Sequence, residues 1–184
     1  RNAAALSRGL SLRLPRRGPI VAAMSDIQFK PAWFRADAAI ERDALAFWEA
    51  NNLMPQNAVP ANRLRELCTV AYDGDRMIAV STAKLTEVAF LKSRLAMWRC
   101  AIAPDRRGQH ISTEMGRYSR EVLEEWSRDN PNERVMGMGT TIQTANLDEK
   151  KKRPIWKASG LVFVGYSGQD QQIRVAWFDH AEIE

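Results

Sequence analysis

The chain predicts an α/β domain of the α+β type: a mixed, mainly antiparallel twisted sheet of about six to seven strands with helices flanking it. Three observations carry this expectation. A β-prone run at 68–72, the turn Asp73-Gly74-Asp75 and a second run at 77–83 read as one antiparallel hairpin. Residues 161–166 and 172–178 read as another, joined by a turn at 167–170. Between the hairpins come a strand, a short basic loop, a long amphipathic helix and a further strand, an order that calls for a parallel pair with a crossover.

The first helix is expected over 37–51, where Ile40, Ala44, Phe47 and Trp48 fall at helical spacing and Glu41, Arg42, Asp43 and Glu49 turn outward. Asn51-Asn52 and the stretch from Pro55 to Pro60 end it, and a short second helix follows over 61–67. A strand is read over 95–103, stopping at Pro104, which cannot donate to a sheet ladder. Residues 86–94 stay open between strand and loop. The long helix runs over 110–128 with Ile111, Met115, Tyr118, Val122 and Trp126 as its apolar stripe, and Asn130-Pro131 stops it. A strand at 134–141 follows, and residues 146–159 read as a helix shortened by Pro154.

The 184 residues fit one domain, and an apolar share of 45% suffices for a core. No run approaches the ~20 apolar residues that a membrane-spanning helix needs. Cys68 and Cys100 stand alone, without metal-ligand spacing, which points to no metal site, no disulfide framework and a reducing, cytoplasmic location. The net charge of +5 is carried by Arg1, Arg8, Arg13, Arg16 and Arg17, so residues 24–184 are formally neutral. A neutral domain offers no broad footprint for nucleic acid. Residues 1–23, basic and without acid, read either as a transit peptide or as sequence upstream of a start at Met24, and in both cases as no part of the domain at 24–184.

The chemistry concentrates at the junction from Ile102 to Ser112. A strand there feeds a basic loop, and a helix then starts with backbone N–H groups that lack intrahelical partners. Those donors, the helix dipole and the flanking arginines suit a phosphate-bearing ligand.

This stretch resembles motif A of the GNAT N-acetyltransferase superfamily, in which a strand ending VxP is followed by RGxGxG or RxxGxG/A. Here it stands as Ile102-Ala103-Pro104 and Arg107-Gly108-Gln109-His110-Ile111-Ser112. Asn146 followed by Ile155-Trp156-Lys157-Ala158-Ser159-Gly160-Leu161 is similar to the family's late motif, an Asn ahead of a segment ending LYxKxGF. The resemblance spans about 27–178. It implies a central parallel pair splayed apart, acetyl-CoA as cofactor, backbone N–H groups of Gln109 through Thr113 around its pyrophosphate with Arg107 nearby, the strand edge from Cys100 to Ile102 along the pantetheine arm, and Asn146 beside that arm.

Three positions depart from the pattern. His110 and Ser112 replace Gly and Gly/Ala where backbone approaches phosphate closely. Trp156 stands where many members carry a Tyr that protonates the leaving thiolate, and an indole N–H cannot do so at neutral pH. Trp156 is therefore expected to shape the thioester pocket. The catalytic base and acid are not identified; Glu87 and Tyr166 are the candidates, and a solvated surface carboxylate is the other reading of Glu87. Lys150-Lys151-Lys152-Arg153 reads as a solvated run or as a contact for the cofactor's 3′-phosphate.

The function these readings imply is transfer of acetyl from acetyl-CoA to a primary amine on a small molecule or peptide. The alternative is a non-catalytic acyl-CoA-binding or regulatory domain. No nucleic-acid or membrane partner is expected, and a homodimer is compatible with the resemblance.

Overall fold

The structure, a computed structural model, describes residues 27–54, 56–142 and 152–182. Residues 1–23, the boundary at Met24, Asn146 and Lys150-Lys151 lie outside the described residues.

Among the described residues eight strands form one sheet in the order β1-β2-β3-β4-β5-β8-β7-β6. The chain enters through β1 (Ile27–Pro31), a strand that the sequence reading lacks, and passes to α1 (Ala38–Ala50). Asp37 caps α1 by accepting from the Ile40 N–H at 2.8 Å, a bond worth ~1 kcal/mol at a helix start. The buried face of α1 is Ile40, Ala44, Phe47 and Trp48, as the spacing predicts. Helix α2 spans only Pro60–Leu64, because Leu67 already opens β2 (Leu67–Asp73).

Strand β3 (Arg76–Val88) runs through the segment left open by the sequence. It pairs antiparallel with β4 (Ser93–Ile102) from Ala79↔Ile102 to Val88↔Ser93. Helix α3 (Ile111–Asp129) then crosses over to β5 (Val135–Ile142), which lies parallel to β4. The sheet is completed by β6 (Ile155–Trp156), β7 (Leu161–Tyr166) and β8 (Gln172–Trp177). The mixed, mainly antiparallel architecture stands, with more strands than the six to seven expected.

The helix expected over 146–159 is absent from its described part. The N–H groups of Ser159 and Gly160 both donate to the Trp156 carbonyl, at 3.2 and 2.9 Å, closing a single turn. Ahead of that turn Ile155 and Trp156 pair with Val162 and Leu161 as a two-residue edge strand.

Helix α3 and α1 cover opposite faces of the sheet. Under α3 lie Ala96, Trp98, Met138, Leu161 and Ala176, and under α1 lie Leu67, Val70, Tyr72 and Val80. The buried line of α3 is Ile111, Met115, Ser119, Leu123 and Ser127. This corrects the expected stripe, in which Tyr118, Val122 and Trp126 now flank the line. The serines are tolerated because each is bonded: Ser119 Oγ lies 2.7 Å from Thr69 Oγ1, and Ser127 Oγ donates to the Val135 carbonyl at 2.7 Å.

The two parallel strands begin alike. A 3₁₀ turn at Ala89–Leu91 leads through left-handed Lys92 (φ 49°) into β4, and one at Pro131–Glu133 leads through left-handed Arg134 (φ 52°) into β5. For an L-residue with a side chain, this conformation costs roughly 1–2 kcal/mol.

Candidate functional site

Strands β4 and β5 pair only from Arg94↔Val135 to Met97↔Gly139. Beyond that rung β4 continues to Ile102 along β3, while β5 continues to Ile142 along β8. Residues 98–102 and 140–142 therefore face one another across a wedge, and each strand offers backbone groups on a side where it has no strand neighbour. Backbone N–H and C=O groups demand partners, so the wedge suits a ligand that itself carries amides. The last rung is crowded: a Cβ on Gly139 would stand 2.6 Å from Met97 Sδ and 3.3 Å from Leu95 Cδ1. Gly inside a strand marks such a close approach.

The basic loop lies at the open end of this wedge, because β4 delivers the chain into it. A 3₁₀ turn at Pro104–Arg106 precedes Arg107, Gly108 has φ +82° with open space where a Cβ would stand, and His110 takes φ 61° at the start of α3. His110 thus holds the left-handed conformation that Gly adopts freely, at the position where the resembled motif carries Gly. Among the described residues the N–H groups of Gly108, Gln109, His110, Ile111 and Ser112 donate to no protein acceptor. Thr113 differs from these five. Its N–H donates to the His110 carbonyl at 3.0 Å, as the first turn of the helix tightens.

The loop's arginines differ in what they hold. Arg106 pairs with Asp73, and Arg76 grips both oxygens of Asp105 at 2.8 and 3.0 Å. The Arg76 guanidinium holds the Asp105 carboxyl below the usual carboxylate range. Arg107 is exposed and forms no ion pair among the described residues. It is the loop cation with its charge available.

Other candidates lie at varied distances from the wedge. Glu87 stands four residues along β3 from Ala83, the partner of Trp98, which is about 13 Å at ~3.3 Å per residue. It is 75% exposed and lies 3.8 Å from Arg94, so the structure does not bring it to the wedge. Tyr166 ends β7 opposite Gln172, which in turn faces Ile142 at the tip of β5. It is 57% exposed, with its ring 5.1 Å from Phe163. Trp156 sits farther out on β6, yet its ring stacks on the Arg174 guanidinium at 4.1 Å, and Arg174 is the partner of Thr140, the first residue of β5 beyond the split.

Three residues of the wedge were missed from sequence: Gly139, Arg174 and Trp98. Trp98 is the first β4 residue past the split, and its indole N–H is buried without a partner among the described residues. The Gly137-Met138-Gly139 run inside a predicted strand was the available signal for Gly139. Arg174 carried none, since a charged residue in an amphipathic strand reads as exposed. Two thiols lie close by: burial pushes the Cys68 pKa up to about 12, and burial with the nearness of Cys68 pushes that of Cys100 up to about 12.

No protein-family model matches the sequence, and no curated protein matches it. Solved structures do match in fold. The ribosomal-protein-S5-alanine acetyltransferase from Vibrio fischeri superposes with a TM-score of 0.53 at 13% identity, covering 88% of this chain and 98% of the other. A GNAT-family acetyltransferase from Streptococcus pneumoniae gives 0.50 at 10% identity, covering 83% and 99%. The AtaT toxin bound to the C-terminus of the antitoxin AtaR gives 0.52 at 13% identity, covering 83% and 93%. The chain has the GNAT acetyltransferase fold. Among its described residues, no helix is long and apolar enough to cross a membrane.

Proposed function

We propose that the protein is an acyl-CoA-dependent N-acyltransferase that transfers acetyl from acetyl-CoA to a primary amine. One observation carries the reading: the wedge between β4 and β5, the row of unpaired N–H groups from Gly108 to Ser112 and the free guanidinium of Arg107 meet at one end of the parallel pair. The residues fit coenzyme A in chemistry. Backbone donors at a helix start and a cation suit its pyrophosphate, and unpaired strand edges suit its amide-bearing arm.

When bound, acetyl-CoA supplies an acyl group on a good leaving thiolate. The chain's part is to bind and orient. The backbone of 98–102 fixes the arm at the β4 edge, and backbone donors positioned there polarise the thioester carbonyl. Holding the amine in line with the acyl carbon removes the entropic cost of a bimolecular encounter. The attacking amine must be neutral, and the thiolate takes its proton from water or from the ammonium formed on the product. Trp156 does no proton transfer in this scheme; packed on Arg174, it shapes the outer wall of the wedge.

Calorimetric titration of the protein with acetyl-CoA, followed by a thiol-release assay across a panel of amines, tests the reading. Saturable binding and amine-dependent release above the hydrolysis blank are expected. Binding without turnover on any amine would make the wedge a binding module, and no binding would remove the proposal.

A further inference from the structure

We propose that the opposite end of the parallel pair holds a second binding site, for a small organic anion with an apolar body. A cavity of about 910 Å³ opens there, between the tip of the β3–β4 hairpin, the C-terminal end of α3, the 131–134 turn and the chain that follows β8. Its volume falls within the ~300–1,000 Å³ range typical of ligand pockets. It lies at the ends of β4 and β5 where the strands are paired, away from the wedge at which they separate.

The charge in this cavity comes from a repeated local device. Lys92 and Arg134 each occupy the left-handed residue between a 3₁₀ turn and the first residue of a parallel strand, and both line the cavity. Gly would hold either turn without strain, yet both positions carry a long cation; strained conformations of this kind gather at functional sites. Neither cation has an ion-pair partner among the described residues.

The remaining lining charges are largely matched. Arg94 is held by Glu133 at 2.7 Å and Glu87 at 3.8 Å, and Arg128 by Glu124 at 2.8 Å. Glu182 is the carboxylate left over, and against it Lys92 and Arg134 leave the lining with one positive charge in excess. Leu91, Val135 and Met136 supply apolar surface. Two cations without ion-pair partners, against one carboxylate, above such a surface suit a carboxylate or phosphate ester on a compact hydrophobic body. The proposal does not rest on acetyltransfer at the wedge.

The test is calorimetric titration of the full chain with benzoate, phenyl phosphate and benzamide, alone and with saturating acetyl-CoA. Benzoate or phenyl phosphate, or both, should bind at least tenfold more tightly than neutral benzamide, and the stronger of the two identifies the head group. Lys92→Gly and Arg134→Gly, which suit their turns, should each weaken the anion by tenfold or more while thermal stability is kept or raised. Affinity unaltered by either variant, anions no better than benzamide, or displacement of the anion by acetyl-CoA would each overturn the proposal.

Discussion

Met97 lies against Gly139 on the last rung that joins β4 to β5, so closely that a Cβ on the glycine would meet the methionine sulfur at 2.6 Å. Gly139→Ala should cost about 1–2 kcal/mol, the usual penalty for overpacking by one carbon. Met97→Ala in the same chain should recover most of it, giving a coupling that chemical denaturation of the four variants measures. An equal cost with and without the methionine side chain would assign the effect to the backbone.

Arg107→Glu should weaken acetyl-CoA by ~2 kcal/mol, about thirtyfold, through a lost charge-assisted contact and added repulsion. Its melting temperature should hardly move, because Arg107 pairs with no carboxylate among the described residues. Arg106→Ala should do the reverse, since Arg106 spends its charge on Asp73. Calorimetry and thermal melts on the two variants separate ligand binding from structure.

His110→Gly should stabilise the protein by ~1 kcal/mol, because the side chain holds a left-handed conformation that glycine adopts without penalty. Denaturant titration checks this, and acetyl-CoA affinity should not fall. A loss of affinity would show that the imidazole itself contacts the ligand.

Much of this arrangement was legible because it depends on local pattern. Ile40, Ala44, Phe47 and Trp48 fixed the face of α1 by spacing alone, and Pro104 with the basic run after it located the loop at the end of β4. What escaped depends on partners distant in sequence. Ser119 and Ser127 look like surface residues until Thr69 and the Val135 carbonyl are placed beneath them. Arg174 is buried at 1% exposure because it stacks on Trp156, bonds Gln172 and donates to the Pro154 carbonyl. Strand β1 escaped because its five residues become a strand only by pairing with β2, more than thirty residues later.

Trp156→Phe should retain most of the stability and any amine acetylation, since an aromatic face still meets Arg174. Trp156→Tyr should keep or raise turnover. Trp156→Ala should cost about 2–3 kcal/mol through lost packing and a lost cation–π contact. Denaturation and thiol-release assays on the three variants test this, and lost turnover in the Phe variant with fold intact would refute a purely shaping role.

Stability should decline at alkaline pH partly through Cys68. Burial raises its folded-state value from 9.0 to about 12, so its contribution is whole below pH 9 and is lost as pH rises toward 12. Within that window one such thiol changes stability by about 1.4 kcal/mol per pH unit. Cys68→Ala should therefore show a shallower fall than wild type between pH 9 and 10.5, read from denaturation midpoints. Equal slopes would place the thiol in contact with solvent.

The split after Met97 also bears on how the chain assembles. Strands β2 to β4 are neighbours in the sheet and close in sequence, so they can zip together as they emerge, whereas β5 meets β4 only after α3 has crossed over and β8 must return past β7 to pair with β5. Contacts of that second kind close long loops and form slowly. During synthesis the free side of β4 is therefore a bare strand edge for as long as residues 135–142 are unmade, and such edges invite pairing with other chains. At Trp98 to Ile102 that interval never fully ends: among the described residues the edge is still without a strand neighbour on that side in the folded protein.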